Sequence, residues 1–390
     1  MMIGTVSHRE NAPLVVHIVH QFGVGGLENG LVNLINHLPS AQYRHAIVCL
    51  TGRIDFHRRI RRADVAIHTL NKRAGKDFGA YWRLYRLLRE LKPDIVHTRN
   101  LATVDCQFFA AAAGVRGRVH GEHGWDVYDL HGTNSRYRWL RRAASKFVGR
   151  FVTMSRDLER WLVSDVGVPA QRVTQIYSGV DSRKFHPREG ARAAIGPAGF
   201  ADAGCFVIGT AGRLEPVKDP LTLLRAFIAL LAREPALRAR ARLVFVGDGS
   251  LRQQLQAEAA AADVAALCWF AGSSDEVPGL LRGLDLFVLP SLNEGISNTI
   301  LEAMATGLPV VATRVGGNAE LVREGETGAL CPSRAPQDMA DAILSYLRDG
   351  ERARRHGAAG RAIVERDFAL SRMVETYASV YEQVLGRGPR

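Results

Sequence analysis

The sequence predicts an α/β protein of two doubly wound, Rossmann-like domains facing one another across a cleft. Three observations predict it. Apolar runs alternate with helix-period segments from end to end, and unbroken apolar strands separated by helices mean parallel sheets covered on both faces. The same opening of strand, glycine-bearing loop and helix occurs twice, as LVVHIVHQFGVGGLENG before LVNLINHL and as CFVIGTAGRLEPVKDP before LTLLRAFIALL. Between the two series lies residues 181–204, a stretch rich in Gly, Pro, Ala and charge that suits a domain connection.

Taken in order, the expected strands are LVVHIVH, HAIVCL, DIVHT, RVHGEH and FVTMS, then CFVIGTA, RLVFVG, LCWFAG, LFVLPS and VVATRV. The expected domains are 1–185, 186–367, and a segment 368–390 whose helix, to about 385, crosses back to the first domain. The tail GRGPR is expected to fray. At 390 residues the chain exceeds one ordinary core, and 47% hydrophobic with 23% charged residues describes a soluble globular protein.

The amino-terminal MMIGTVSHRENAPLVV lacks a basic-then-apolar signal layout, and no run approaches the about 18 apolar residues that span a bilayer. The protein is expected to stay in the cytoplasm where it is made. Its five cysteines are odd in number and lack C-x-x-C spacing, which argues for buried thiols rather than disulfides or zinc. A net charge of +12 favours anionic partners: phosphorylated substrates, acidic membrane surfaces or nucleic acid. Dispersed basic residues and the lack of any nucleic-acid motif count against the last.

The first glycine loop, HQFGVGGLENG, sits where a strand hands over to a helix, a place that binds phosphate because the first N–H groups are unpaired. A dinucleotide fingerprint would continue G-x-G-x-x-G and place an acid at the end of the second strand. This chain has Glu28 after Gly25, Gly26 and Leu27, and AIVCLTG at the second strand, so both specific parts are missing. Close approach of a phosphate at Gly25 and Gly26 fits the residues, and so does a tight turn with nothing bound.

In AGRLEPVKDP, Arg213 and Lys218 precede a helix start signalled by Asp219 as cap and Pro220 in the first turn. Two cations before a helix amino terminus suit a diphosphate, although two solvated surface cations fit as well. The segment LPSLNEGISNTILEAMATGLPVVATRVGG is more specific. A strand stops at Pro290, a loop carries Glu294, and a helix begins around Ser297 and Asn298. Glu302 lies about 7 Å along the axis from that start, so the two carboxylates can reach different parts of one extended ligand, one of them a vicinal diol. Apolar neighbours Ile300, Leu301, Ala303 and Met304 leave Glu302 in need of a partner.

GRLEPVKD, VGDG, FAG and above all PSLNEGISNTILEAMATGLPVVATRVGG closely resemble the family 4 retaining glycosyltransferases of the GT-B fold. IYSGVDSRKFHP resembles that family's interdomain segment, with Ser178 where Asn is usual. The resemblance is highly specific in the second domain and weaker in the first. It implies a retaining hexosyltransferase that moves a sugar from a nucleotide-diphosphate sugar to a glycan or lipid-linked acceptor in bacterial surface or exopolysaccharide synthesis. No cofactor and no metal are then required. Arg213 and Lys218 would bind the donor diphosphate, Glu302 the ribose, and Glu294 with Gly295, Ile296, Ser297 and Asn298 the donor sugar. Gly212 and Gly247 belong to the same donor site, and Gly25 and Gly26 would meet the diphosphate from the other domain.

VHGEHGWDVYDLHGTN resembles transferases encoded with exopolysaccharide and PEP-CTERM exosortase systems. In the family a histidine after this strand lies near the reacting sugar. Position favours His123, while the H-x-x-H spacing leaves His120 open. A metal held by His120, Glu122 and His123 lacks a specified further ligand on a strand and loop. Glu294 as a nucleophile, by analogy with retaining glycosidases, competes with its binding role.

RYRWLRRAASKFVGR carries six cations and no acid, with Trp139, Ala143 and Phe147 at helical spacing. It fits peripheral contact with the anionic inner face of the cytoplasmic membrane, but a surface helix with one face in the core is the favoured reading. Arg58, Arg59, Arg61 and Arg62 read as a solvated cluster. A nucleotide-sugar epimerase or a phosphorylase shares the two-domain plan, but the two-glutamate segment speaks for transfer.

Overall fold

The computed structural model describes residues 12–386 except Val24, Lys76, Val127, Tyr128, Leu130, His131, Ala193 and Ala194. The amino-terminal stretch before Ala12 and residues Arg387–Arg390 of the tail expected to fray lie outside the described residues. The chain forms two compact units, one of Met1–Gly179 with Leu370–Arg390, the other of Val180–Ala369.

The first unit is built on a seven-stranded parallel sheet of β1 (Leu14–Val19), β2 (Arg44–Cys49), β3 (Ala66–Thr69), β4 (Ile95–Arg99), β5 (Gly117–Glu122), β6 (Arg150–Thr153) and β7 (Val173–Gln175), in the order β3-β2-β1-β4-β5-β6-β7. The second has six parallel strands, β8 (Phe206–Ala211), β9 (Ala241–Val246), β10 (Cys268–Gly272), β11 (Leu286–Leu289), β12 (Val310–Thr313) and β13 (Gly328–Cys331), in the order β10-β9-β8-β11-β12-β13. Strand order reverses between β1 and β4 in one sheet and between β8 and β11 in the other. Open α/β sheets bind ligands beyond the carboxyl ends of strands at such points.

All ten expected strands form. The three extra ones, β3, β7 and β13, are short edge strands with only partial burial, so they lack the continuous apolar run that marks a strand covered on both faces. In the first unit Val16, Ile18 and Val96 pack under Leu84 and Leu88 of the helix Phe78–Leu91 on one face. Val19 and Ile47 meet Leu31, Val32 and Ile35 of the helix Gly26–His37 on the other. The helix Leu370–Val384 packs on that helix and on β5, within the first unit.

Residues 181–204, expected as a connection, belong to the second unit, whose boundary falls at Val180 rather than at 186. Asp285 fastens this segment: it takes ion pairs from Arg188 and Arg192 and a hydrogen bond from the Val207 N–H. All five cysteines are buried and free of disulfides. No helix among the described residues is long and apolar enough to cross a membrane.

Candidate functional site

In the second unit the loops after β8, β9 and β11 meet through backbone contacts. Leu214 N–H donates to Asp248 O, Leu251 N–H to Leu214 O, and Leu292 N–H to Val217 O at 2.8 Å. Gly247, at φ 138°, lets the β9 loop touch the β8 loop, since a Cβ there would run into the Gly212 carbonyl oxygen. These contacts bring Lys218 and Glu294 together. Lys218 Nζ donates to Glu294 Oε1 at 2.5 Å, and Ser291 Oγ donates to the same oxygen at 2.7 Å. Glu294 is only 8% exposed. Its two described bonds both fall on Oε1, which leaves Oε2 as the natural acceptor for ligand hydroxyls.

Residues that sequence reasoning left unassigned pack around this glutamate loop. Ser291 is fully buried, and Gly316, at φ 46°, lies so close that a Cβ would strike the Glu294 carbonyl oxygen. Gly317 stands in the same relation to the Gly295 carbonyl. The glycine pair at the end of VATRVGG was the available signal. Only a turn of glycines can press that closely on the backbone of the glutamate loop.

Ser297 caps the helix Asn298–Ala305, its hydroxyl accepting from the Ile300 N–H at 3.3 Å. In that helix only Asn298, Thr299 and Glu302 are not fully buried. Their spacing of one and four residues makes one polar stripe that starts at the helix amino end. Asp219 departs from expectation. It has φ 45° and makes no side-chain cap bond to the backbone; its carboxylate accepts from Thr222 Oγ1 at 2.7 Å instead. Pro220 does occupy the first turn. Arg213 is exposed, and its charge acts on Glu215, which is held low chiefly by two hydrogen bonds from Ser250.

In the first unit Gly25 stands at the cap position of the helix Gly26–His37 in extended backbone. The Glu28 carboxylate folds back over Gly25 to within contact of where a Cβ would be. An acid in the first turn is favourable there, so the residue that breaks the dinucleotide pattern serves the helix start.

The two histidines of VHGEHG differ sharply. His120 is fully buried, its Nδ1 2.7 Å from Thr98 Oγ1 and its Nε2 3.2 Å from Glu122 Oε1. Glu122 also takes two bonds from Arg141, at 2.6 and 3.2 Å. Burial pushes the Glu122 carboxyl up, but Arg141 and His120 outweigh it and hold it at about 2. Among the described residues no three His, Cys, Asp or Glu are grouped to hold a metal. His123 is half-buried, its N–H donates to Asn100 Oδ1 at 2.6 Å, and its Nε2 is buried with no partner among the described residues. Burial, then the charge of Arg99, keeps its imidazole neutral.

Sequence reasoning also missed a second cluster. His17, His45, His97 and Arg99 are buried together, with Arg99 NH2 3.2 Å from His17 Nδ1 and His17 Nε2 3.0 Å from His45 Nδ1. The histidines were readable only as strand residues, because their partners come from other strands.

Comparison with known proteins points to one family. A family profile described as Glycosyltransferase Family 4 matches residues 24–184, and one described as Glycosyl transferases group 1 matches residues 205–349. The chain is 30% identical over 284 residues to the UDP-Gal:alpha-D-GlcNAc-diphosphoundecaprenol alpha-1,3-galactosyltransferase of Escherichia coli, covering 70% of this chain and 71% of that one. It is 34% identical to the lipopolysaccharide core biosynthesis mannosyltransferase LpcC of Rhizobium leguminosarum bv. viciae, over 55% of this chain and 60% of that one. Among solved structures, Anabaena HepE in complex with UDP and glucose superposes with a TM-score of 0.77 at 19% identity, over 93% of this chain and 98% of that one.

Proposed function

The chain belongs to the family 4 glycosyltransferases of the GT-B fold, and on that premise we propose that it moves a hexose from a nucleotide-diphosphate sugar, with retention, onto a lipid-linked or glycan acceptor of a bacterial surface or exopolysaccharide. The observation that carries the reading is the buried Glu294 held by Lys218 and Ser291, beside a capped helix start at Ser297.

Breaking a sugar–diphosphate bond develops negative charge on the leaving phosphate. Lys218, Arg213 and the amino end of the helix Asn298–Ala305 are the positive groups assigned to it, preorganised before the reaction begins. Such a set supplies the electrostatic help that a metal would otherwise give, and none is proposed. Glu294, fixed by two donors, holds the sugar hydroxyls rather than attacking the anomeric carbon. Glu302 takes the ribose diol, and Gly25, Gly26 and His123 are assigned to the diphosphate and the reacting sugar. Retention follows if the departing phosphate oxygen takes the acceptor proton on the face the acceptor enters.

A uridine nucleotide is the first donor to test, because one similar enzyme is named for UDP-Gal and a similar structure holds UDP. A panel of nucleotide sugars should give one donor that raises the melting temperature by mass action and is turned over. Lys218→Ala or Arg213→Ala should then lower kcat/KM by about 2 to 4 kcal/mol of transition-state stabilisation. Near-wild-type turnover in both would remove the diphosphate assignment.

Peripheral contact with the anionic inner membrane belongs to the same proposal. The first unit exposes Trp139 and Phe147 at 69% and 38%, and Phe78 and Trp82 on another basic helix at 77% and 60%. Aromatic rings flanked by arginines suit an anionic interface. Flotation with anionic vesicles should carry the protein up, and Trp82→Ser with Trp139→Ser should leave it at the bottom; equal recovery with neutral vesicles refutes the contact.

A further inference from the structure

His97 and Arg99 of β4 share one face of the first sheet with Gly121 of β5, because Arg99 lies beside Gly121 in register and alternate residues point the same way. His17 of β1 stands beside His97 on that face. Arg99 NH2 lies 3.2 Å from His17 Nδ1 and 3.4 Å from His97 Nδ1. The Tyr381 hydroxyl, on the helix Leu370–Val384, is 2.9 Å from the same His97 Nδ1.

A guanidinium only donates, and a neutral imidazole has one donor and one acceptor nitrogen. His97 Nδ1 is therefore its acceptor, and the ring proton sits on Nε2. The same reasoning places the His17 proton on Nε2, donated to His45 Nδ1. His97 Nε2 is buried and has no partner among the described residues, and the same holds for His123 Nε2. Both face the space above Gly121, where a Cβ would stand 3.3 Å from His97 Nε2 and 2.6 Å from His123 Nε2. A hydrogen at position 121 is what lets the two rings converge.

We propose that His97 is a positioning residue for His123: its Nε2–H is given to His123 Nε2 through one water, so that His123 is held with its own proton on Nδ1. Nδ1 is the ring nitrogen left to a ligand, and it donates a hydrogen there rather than abstracting one. Tyr381 acts on the site only through His97. The ligand chemistry that fits is a neutral oxygen, a hydroxyl or ring oxygen of a sugar. This last step rests on the glycosyl-transfer reading, whereas the tautomer does not.

The full chain labelled with ¹⁵N-histidine tests it, with the His123 signals assigned by their loss in His123→Gln. Long-range ¹H–¹⁵N correlations at pH 8 should show His123 protonated on Nδ1 in the wild type and in His97→Gln, whose amide can donate from a similar place. In His97→Leu the proton should move to Nε2, the form unconstrained histidine favours. Should that variant not fold, Gly121→Ala keeps both imidazoles, drives a methyl between them, and should produce the same switch. With the donor found by the nucleotide-sugar panel, His97→Leu should lower kcat about tenfold with KM little changed, and His97→Gln should restore most of it. A His123 proton on Nε2 in the wild type, or an unchanged tautomer in both disrupting variants, overturns the proposal whatever the activity. If no nucleotide sugar is turned over, the transfer reading fails while the tautomer result stands on its own.

Discussion

The first sheet buries an arginine on each face, and their surroundings are opposite. Arg141 meets the Glu122 carboxylate, which also takes His120, and His120 in turn meets Thr98. Gln107 closes that side by donating to Thr98 Oγ1 and the Val119 carbonyl at 2.6 and 2.8 Å. Arg99 meets two imidazoles and the Tyr381 hydroxyl, and its Nε has no partner among the described residues. The acid whose field reaches it is Glu28. A paired charge locks its neighbours into one arrangement at any pH where the carboxylate is ionised. An arginine among histidines instead fixes which nitrogen carries each proton, and that arrangement lasts only while the rings stay neutral.

Acid should break the comparison most strongly. Burial first, then Arg99, holds the His17 and His97 rings well below 6.5, and burial with Arg62 brings His45 down to about 3. The unfolded chain takes up protons near 6.5 and the folded one does not, so stability falls as pH drops below 6.5, the His45 contribution levelling off near 3. At up to ~1.4 kcal/mol per pH unit for each ring, the first unit should lose several kcal/mol between pH 7 and 5. The Glu122 side behaves differently: its stabilisation is complete above about 4.5 and is lost as pH falls through about 2. Urea unfolding across this range reads both, and a flat profile from pH 7 to 5 would contradict the histidine half.

Next in size, Arg141→Leu leaves Glu122 buried with only His120 beside it and should cost about 3 to 5 kcal/mol at neutral pH. Arg99→Leu strands no carboxylate and should cost about 1 to 2 kcal/mol. It should also flatten the acid profile, because removing the cation lets His17 and His97 titrate nearer 6.5. Equal losses in the two variants would mean that the carboxylate is not what separates the two faces. Smallest, Tyr381→Phe removes one hydrogen bond to His97 and should cost about 0.5 to 1.5 kcal/mol, measured by the same unfolding curves.

What could be read from the sequence follows from how local each feature is. Interior strands announced themselves because burial on both faces writes an apolar run; β3, β7 and β13 are half-exposed edges and write none. Glu294 and Lys218 could be singled out because each lies in a loop just before a helix start and within a motif resembling the family's, and the structure brings them to 2.5 Å. Ser291 went unassigned, since only the folded loop turns its hydroxyl onto Glu294. The histidine cluster was beyond reach for a plainer reason: His97 and Tyr381 are 284 residues apart, and no spacing rule extends that far. Asp219 had the composition of a cap, yet its left-handed backbone and the Thr222 hydroxyl redirected the carboxylate.

Val180 N–H donates to the Phe368 carbonyl, and Val180 pairs with Ala369 as an isolated bridge. The path into the second unit is thus stitched to the path out of it. During synthesis that unit holds all its own strands once Ala369 has been joined, and it can close while the first unit still waits for Tyr377 and Tyr381. Until those two phenols arrive, the histidines of β1 and β4 stand open to water. A chain released after residue 369 should therefore carry a finished carboxyl-terminal body and an amino-terminal sheet whose imidazoles titrate closer to 6.5 than they do in the full chain.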